Sequence, residues 1–272
     1  MKISTIDKLK LIFQIYSVVN MLPTLKLKIL TLLIPIETTR YLEFSYFIKF
    51  LQKNNLKNLN ILDISSPHMM AYFLSKTNNV IKTNIDPSEE IFIKQNKKLA
   101  FKKEDATKLS FSDNTFDITY SISVIEHIYK DYIAAIQEMI RVTKKSGYVY
   151  LTFPISKSHV EEWDIESIYS NQKVLNNKTF FQYRFNKNDV DLIIKKLKNV
   201  DVLSMDIYWE KNNYTYDKAM QKLKYNKNKY IRLISNSVIN IFYGFTLFKK
   251  IPYSNFNNAK NFGNTHLILI KK

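Results

Sequence analysis

Residues 102–154 read KKEDATKLSFSDNTFDITYSISVIEHIYKDYIAAIQEMIRVTKKSGYVYLTFP. This stretch sets an acidic loop, a buried strand, an amphipathic helix and a second buried strand one after another. Phe116 to Ser121 is a short apolar run of the kind that forms a fully buried strand. Tyr132, Ile133, Ile136, Met139 and Ile140 recur at the interval of one helix face. Lys144 and Lys145 then place basic charge at the negative end of the helix dipole and Gly147 follows, so the helix is expected to close there. Tyr148 to Phe153 is the next buried strand.

The same alternation extends outward. NILDISSP at 60–67 gives a strand from Ile61 to Ile64 and a helix from Pro67 to about Lys76; VIKTNIDPS at 80–88 gives a strand from Val80 to Ile85 and a helix from Pro87 onward. Downstream, Phe180 to Phe185 alternates as a strand, Lys187 to Leu197 is helical, Val200 to Trp209 is a strand, and THLILIKK closes the chain as a last one. Strands alternating with helices imply an α/β fold with a mostly parallel, doubly wound sheet of Rossmann-like type, here with an antiparallel final strand. Residues 1–56 read as helices broken at Pro23 and Pro35, and ETTRYLEFSYFIKFLQKN puts Leu42, Tyr46, Phe47, Phe50 and Leu51 at helical spacing. The expected organisation is a helical N-terminal cap over 1–56, then a Rossmann-like domain over 57–272 carrying a basic, Tyr-rich insertion at about 210–263.

In an open parallel sheet, ligands bind beyond the carboxyl ends of the strands where strand order reverses. Asp63, Asp86, Asp105 and Ser121 all fall at or just past such ends. Asp86 lies about 20 residues beyond the first strand-to-helix turn, where an acidic side chain accepts hydrogen bonds from ribose hydroxyls. Asp105 is placed to accept from an exocyclic adenine amine while the Ala106 amide donates to the ring. Together they imply an adenosine-like ligand.

EDATKLSFSDNTFDITYSISVIEHI, the helix ending RVTKKSGYVYLTFP, and the upstream segments ILDISSP and NIDPS resemble, in order, the motif series of class I S-adenosylmethionine-dependent methyltransferases. The group concerned includes quinone-biosynthesis and many small-molecule or glycan methyltransferases, and the likeness covers residues 58 to 155. It implies S-adenosyl-L-methionine as cofactor. One departure stands out: the family's first motif places Gly-x-Gly after the acidic residue, whereas this chain has Ser65, Ser66 and Pro67, and serine and proline resist the dihedrals that glycine permits. A substitute is expected in which Ser66 caps the following helix and Pro67 takes its first position, so that the free amides meet the cofactor's carboxylate. Methyl transfer from a sulfonium asks the protein to position, desolvate and accept a proton. His127 is the expected base, with Glu126 beside it; the other reading has both holding the loop by hydrogen bonds. His68 is expected to face solvent, and Arg40 and Glu43 either bind an acceptor or form an exposed ion pair. Trp163, Phe180, Tyr183 and Phe185 line an acceptor pocket or belong to the core.

Composition bounds the remaining choices. The chain has 272 residues, 46% of them hydrophobic, with no cysteine and a formal charge of +17. Disulfides, zinc-thiolate sites and cysteine nucleophiles are thereby excluded, no metal site is expected, and a reducing cytoplasm is compatible. Residues 57–155 carry 13 basic and 11 acidic groups, whereas 1–56 carry 8 and 3 and 210–263 carry 10 and 2. The excess lies outside the presumed cofactor unit, where it would draw an anionic partner such as phospholipid, a phosphorylated glycan carrier or nucleic acid, or form a solvated lysine-rich face. The N-terminus does not read as a signal peptide, and the apolar runs fall short of the ~20 residues that span a bilayer. The insertion is either a membrane-surface element, with Phe242, Tyr243, Phe245 and Phe248 entering the interface, or a lid over the site. The expected activity is methyl transfer to a small-molecule, glycan or lipid-linked acceptor by a cytoplasmic protein with peripheral membrane contact. The alternatives are a noncatalytic, methyltransferase-like membrane or partner-binding protein and, behind these, an RNA methyltransferase.

Overall fold

The computed structural model describes residues 1–165, 172–224 and 229–272. Three helices come first: α1 (Thr5–Tyr16), α2 (Leu25–Leu33) and α3 (Arg40–Lys53). A reciprocal capping box starts α1, in which Ser4 Oγ accepts from the Asp7 amide and the Asp7 carboxylate from the Ser4 amide. Thr24 caps α2 in the simpler way. Helix α3 is apolar almost all round and is buried from Tyr41 through Ile48, as a helix sandwiched between a sheet and other helices must be.

Next come β1 (Asn60–Ile64), α4 (His68–Leu74), β2 (Asn79–Asn84), β3 (Leu99–Lys103), β4 (Phe116–Ile122), α5 (Tyr132–Val142) and β5 (Thr143–Ile155). They are followed by β6 (Val160–Asp164), β7 (Val174–Leu175), β8 (Lys178–Arg184), α6 (Lys187–Lys196) and β9 (Val200–Glu210). The last elements are α7 (Thr215–Lys224), α8 (Lys229–Thr246), β10 (Phe248–Ile251) and β11 (Gly263–Lys271). The main sheet has the order β10-β9-β11-β5-β4-β1-β2-β3. β1 to β5 pair in parallel, and β11 runs antiparallel between β5 and β9. The sheet is therefore mostly parallel with an antiparallel final strand. Strand order reverses at β1, which lies between β2 and β4, and the site must form beyond that point.

Both faces of the sheet are covered. Ile61, Ile118, Tyr120 and Tyr150 meet α1, α3 and α4 on one face, and Leu62, Val149, Leu151 and Phe153 meet α5 and α6 on the other. The alternation of a strand's side chains sends neighbours to opposite cores. Phe180, Tyr183 and Phe185 are buried in the second core, with Tyr129 and Trp163 packed around them, so this aromatic group is core.

Several local expectations change. The run from Pro87 forms only a 3-10 turn, Pro87–Phe92, capped by Asp86, because it carries no apolar stripe long enough to hold a helix on the sheet. β3 was not foreseen as a strand; it pairs with β2 at the edge. Helix α5 stops at Val142, not at Gly147, and Ser146 supplies the left-handed residue with φ of 60°. Lys144 to Gly147 instead form a bulge in β5, where the register against β4 jumps from Phe116–Thr143 to Ile118–Tyr148. A Cβ at Gly147 would lie 2.7 Å from the Asp117 carbonyl oxygen and 2.9 Å from that of Lys144, so close backbone approach explains the glycine. Of the aromatics expected at a membrane interface, Phe248 is buried, Tyr243 and Phe245 pack against the first core, and only Phe242 is exposed. Part of the expected insertion, 225–228, lies outside the described residues.

Candidate functional site

Backbone hydrogen bonds join the strand ends into one crest. The Ser65 amide donates to the Thr83 carbonyl across β1 and β2, the Glu104 amide to the Asn84 carbonyl across β2 and β3, and the Ser123 amide to the Thr152 carbonyl across β4 and β5. The side chain of Ser66 bridges β1 and β4 by accepting from the Ile122 amide at 2.9 Å.

The glycine-free loop is built differently from expectation. Ser65 has φ of 52°, the left-handed conformation that glycine adopts at no steric cost. Ser66 does not cap α4: its hydroxyl is spent on Ile122, and Pro67 occupies the cap position without a side-chain hydrogen bond. The helix has only seven residues, too few for an anion site at its start. What stabilises the loop lies beneath it. Asp63 is fully buried and accepts from the Ser66 amide at 2.9 Å and from the Tyr120 hydroxyl at 2.7 Å, with Lys82 Nζ at 3.4 Å. Lys82, itself 2% exposed, also donates to the Ser66 carbonyl. Burial raises the Asp63 carboxyl above its ordinary range, against the pull of Lys82, Tyr120 and Ser66. His68 is half-buried rather than solvent-facing; it stacks on Phe92 with ring centroids 5.9 Å apart.

Asp86 is half-buried at the end of β2, and its Oδ1 accepts from the Ser88 amide at 2.9 Å. Asp105 is exposed beyond β3, and its hydrogen bonds run through Oδ1 to the amide and hydroxyl of Thr107, at 2.8 and 2.7 Å. Ala106 packs half-buried against the second core. Ser121 is fully buried, and its hydroxyl has no hydrogen-bond partner.

Over β4 and β5 lies a cluster that the sequence did not disclose. Glu43, fully buried on α3, pairs with Arg40 and accepts from Ser123 Oγ at 2.7 Å, Thr152 Oγ1 at 2.6 Å and Asn264 Nδ2 at 3.0 Å. Four elements thus converge on one carboxylate, and Arg40 and Glu43 are not an exposed pair. Burial by itself would raise Glu43, but the Arg40 guanidinium and the two hydroxyls hold it below its usual range. Glu126, 1% exposed, behaves oppositely: burial, reinforced by the charge of Glu43, pushes it up to about 8 against the opposing pull of Arg40. Its Oε2 has no hydrogen-bond partner, nor has Nε of Arg40. His127 Nδ1 sits 2.6 Å from the Phe181 carbonyl, which makes Nδ1 the donor and Nε2 the acceptor of the ring. Burial lowers this histidine to about 4, with the Phe181 carbonyl opposing. Nε2 lies 4.0 Å from Glu126 Oε1.

Beside this cluster is a polar cleft of about 330 Å³ lined by Ser156, Ser158, Glu162, Arg184, Asp217 and Asn261 among others. Arg184 pairs with Glu162 at 2.5 Å and Asp217 at 3.0 Å. The ring of Tyr216 stacks on Phe262 at 3.6 Å, and its hydroxyl feels the charge of both Arg184 and Arg40, which places it between the cleft and the cluster.

A family model described as a methyltransferase domain matches residues 62–151, from the middle of β1 to the middle of β5. That stretch is similar to a methyltransferase domain. Among solved structures, this stretch and its flanking elements superpose on the MccD protein with a TM-score of 0.52 at 15% identity, over 84% of this chain and 96% of that one. The [4+2]-cyclase SpnF gives 0.51 at 14% identity, over 84% and 81%. The phosphoethanolamine N-methyltransferase 2 of Haemonchus contortus, in complex with phosphomonomethylethanolamine and S-adenosylhomocysteine, gives 0.50 at 15% identity, over 84% and 53%. At such identities the likeness is one of fold. No curated protein sequence matches the chain.

Proposed function

We propose that this chain transfers a methyl group from S-adenosylmethionine to a polar small-molecule, glycan or lipid-linked acceptor. The observation that carries this reading is the pair of buried polar atoms that make no hydrogen bond, Glu126 Oε2 and Arg40 Nε, the latter with only Glu37 Oε2 at 4.0 Å, over the carboxyl ends of β4 and β5. Buried polar groups are rarely left unpaired, and a polar ligand would satisfy them. When bound, the cofactor supplies a methyl group already activated by its sulfonium. In this reading Asp86 holds the ribose, Asp105 and Ala106 the adenine, and Ser65, Ser66, Asp63 and Ser121 the wall below. Residues 1–56 act as a cap on the unit over 57–272, with 210–263 as its lid.

Of the two candidate bases, Glu126, pushed up to about 8, holds its proton below that pH and accepts one only once ionised, whereas His127, lowered to about 4, is neutral and a weak base. His127 is fixed by its Nδ1 to the Phe181 carbonyl. The Arg184 cleft, with two cations and two carboxylates among its lining, suits an acceptor bearing hydroxyls or both charges.

Calorimetric titration with S-adenosylmethionine tests the proposal. Saturable binding is expected, weakened about tenfold or more by Asp86→Ala, the loss of a charge-assisted hydrogen bond. A folded wild type that does not bind would overturn it. That result would favour a second reading, a methyltransferase fold that binds a partner without transferring. Its motivation is Pro67, which has no amide hydrogen to offer at the start of α4.

A further inference from the structure

Helices α1, α2 and α8 form one layer over α3. Lys8 Nζ donates to the Gly244 carbonyl at 2.7 Å, Tyr16 Oη to the Leu32 carbonyl at 3.2 Å, and both the amide and the hydroxyl of Thr38 to Asn240 Oδ1 at 2.9 Å. Gly244 lets α8 approach closely, since a Cβ there would stand 2.3 Å from the Tyr41 ring. The layer already buries Leu11 and Ile15 of α1. Its outer side is nevertheless apolar too: Phe13 is 73% exposed, Leu25 72%, Ile29 49%, Leu32 53%, Val238 62% and Phe242 59%. Leu25, Ile29 and Leu32 follow at intervals of four and three, as do Leu9, Phe13 and Tyr16, and Val238 and Phe242 stand four apart, so each helix presents a stripe rather than scattered side chains.

The charge beside the α1 and α2 stripes is mainly basic, with Asp7 at the start of α1 paired to Lys49 and Glu37 beyond the end of α2. Residues 8–36 contain Lys10, Lys26 and Lys28 besides the inward-turned Lys8 and no acidic residue. Lys10 and Lys26 are exposed beside Phe13 and Leu25. Among the described residues no helix is long and apolar enough to cross a membrane.

We infer that the α1–α2–α8 layer is a docking surface for an anionic lipid bilayer, with its apolar stripes seated at the headgroup boundary and its lysines on the phosphates. Exposed apolar stripes with Lys10 and Lys26 beside them match a negatively charged interface on both counts. A second copy of the chain fits worse, because a two-fold contact would set like charges against each other. The surface is joined to the site by a short connector: the chain runs from Leu33, at the edge of the layer, to Arg40, which pairs with Glu43 over the strand ends. Docking would hold the site beside the membrane, where a lipid-linked acceptor resides. The inference stands apart from the proposed reaction and is tested without it.

The test is co-sedimentation of the full chain with vesicles of phosphatidylglycerol and phosphatidylcholine in equal parts, against vesicles of phosphatidylcholine alone. Binding to the mixed vesicles is expected, reduced by added salt and weakened about tenfold by Lys10→Glu with Lys26→Glu. The triple variant Phe13→Ser, Leu32→Ser, Phe242→Ser should lose binding while its circular dichroism and urea-denaturation midpoint stay close to those of the wild type, since all three side chains are exposed. Absence of wild-type binding to the mixed vesicles, or equal binding by the triple variant, would overturn the inference. So would wild-type self-association in sedimentation velocity that the triple variant abolishes, with neither protein binding vesicles.

Discussion

Glu43 and Glu126 show how differently two buried glutamates are treated in one cluster. Glu43 has a guanidinium and three neutral donors and stays ionised; Glu126 has Glu43 as a neighbour and an oxygen with no partner, and it keeps its proton. Removing Glu43 leaves Arg40 buried and uncompensated, so Glu43→Ala should cost about 3 kcal/mol or more in urea denaturation, the usual result of breaking a buried pair. For Glu126 the consequence is a pH dependence. Below the ordinary value of 4.5 both folded and unfolded states hold the proton; between 4.5 and about 8 only the folded state does. Unfolding there releases a proton, and stability falls as pH rises. His127 and His266, lowered to about 4 and about 3, act in the opposite sense: between those values and 6.5 only the unfolded state is protonated, and stability falls as pH drops. His68, also lowered to about 4, adds to the two other histidines, and the Met1 amino group, lowered to about 5, opposes Glu126 up to pH 8, so stability should rise from pH 4 to 6.5 and change little between 6.5 and 8. Chemical denaturation across that range should show stability rising more steeply with pH in Glu126→Gln than in the wild type throughout the window from 4.5 to about 8, by about 1.4 kcal/mol per pH unit. At Ser65, with its φ of 52°, Ser65→Gly should raise stability by about 1 kcal/mol, measured as a shift in the denaturation midpoint.

At the scale of elements, the periodicity of α5 and the apolar runs of β1, β2, β4 and β5 were legible because each alternates between sheet and helix period over enough residues to be distinctive. The end of α5 was misplaced for a definite reason. Lys144 to Gly147 carry the composition of a helix terminus, yet pairing with β4 competes for those residues and takes them into β5 as a bulge. Local signals lose to strand pairing where both draw on the same residues. The bulge makes a prediction: Gly147→Ala should be destabilising by roughly 1–3 kcal/mol in thermal unfolding, because the atoms it meets are the backbone carbonyls of Asp117 and Lys144, which cannot swing aside. The 3-10 turn after Asp86 was misread in the same way, from a proline and an acidic first turn that suit either kind of helix.

For the whole molecule, the order β3-β2-β1-β4-β5 with an antiparallel last strand puts the acidic strand ends side by side; β1, β2, β4, β5 and the antiparallel last strand follow from the chain, whereas the edge strand β3 does not. Asp63, Asp86 and Asp105 could be named in advance because a strand followed by an aspartate and a turn is a local pattern. Thr152, Ser123 and Asn264 could not, and Glu43 read equally as an acceptor contact or an exposed ion pair with Arg40, since the four come from a helix, two strands and a turn far apart in sequence and meet only through tertiary packing. Lys82 was equally hidden: a lysine inside a strand reads as solvent-facing until the partner strands bring Asp63 and the Ser66 carbonyl to its Nζ. The sequence alone determined the α/β architecture, the strand ends that form the crest and the family resemblance, because these rest on periodicity and short-range motifs. Tertiary structure decided which carboxyl keeps its proton, how a glycine-free loop is held over a buried lysine, and which apolar stripes remain outside, because each depends on burial and on charges brought together from distant segments.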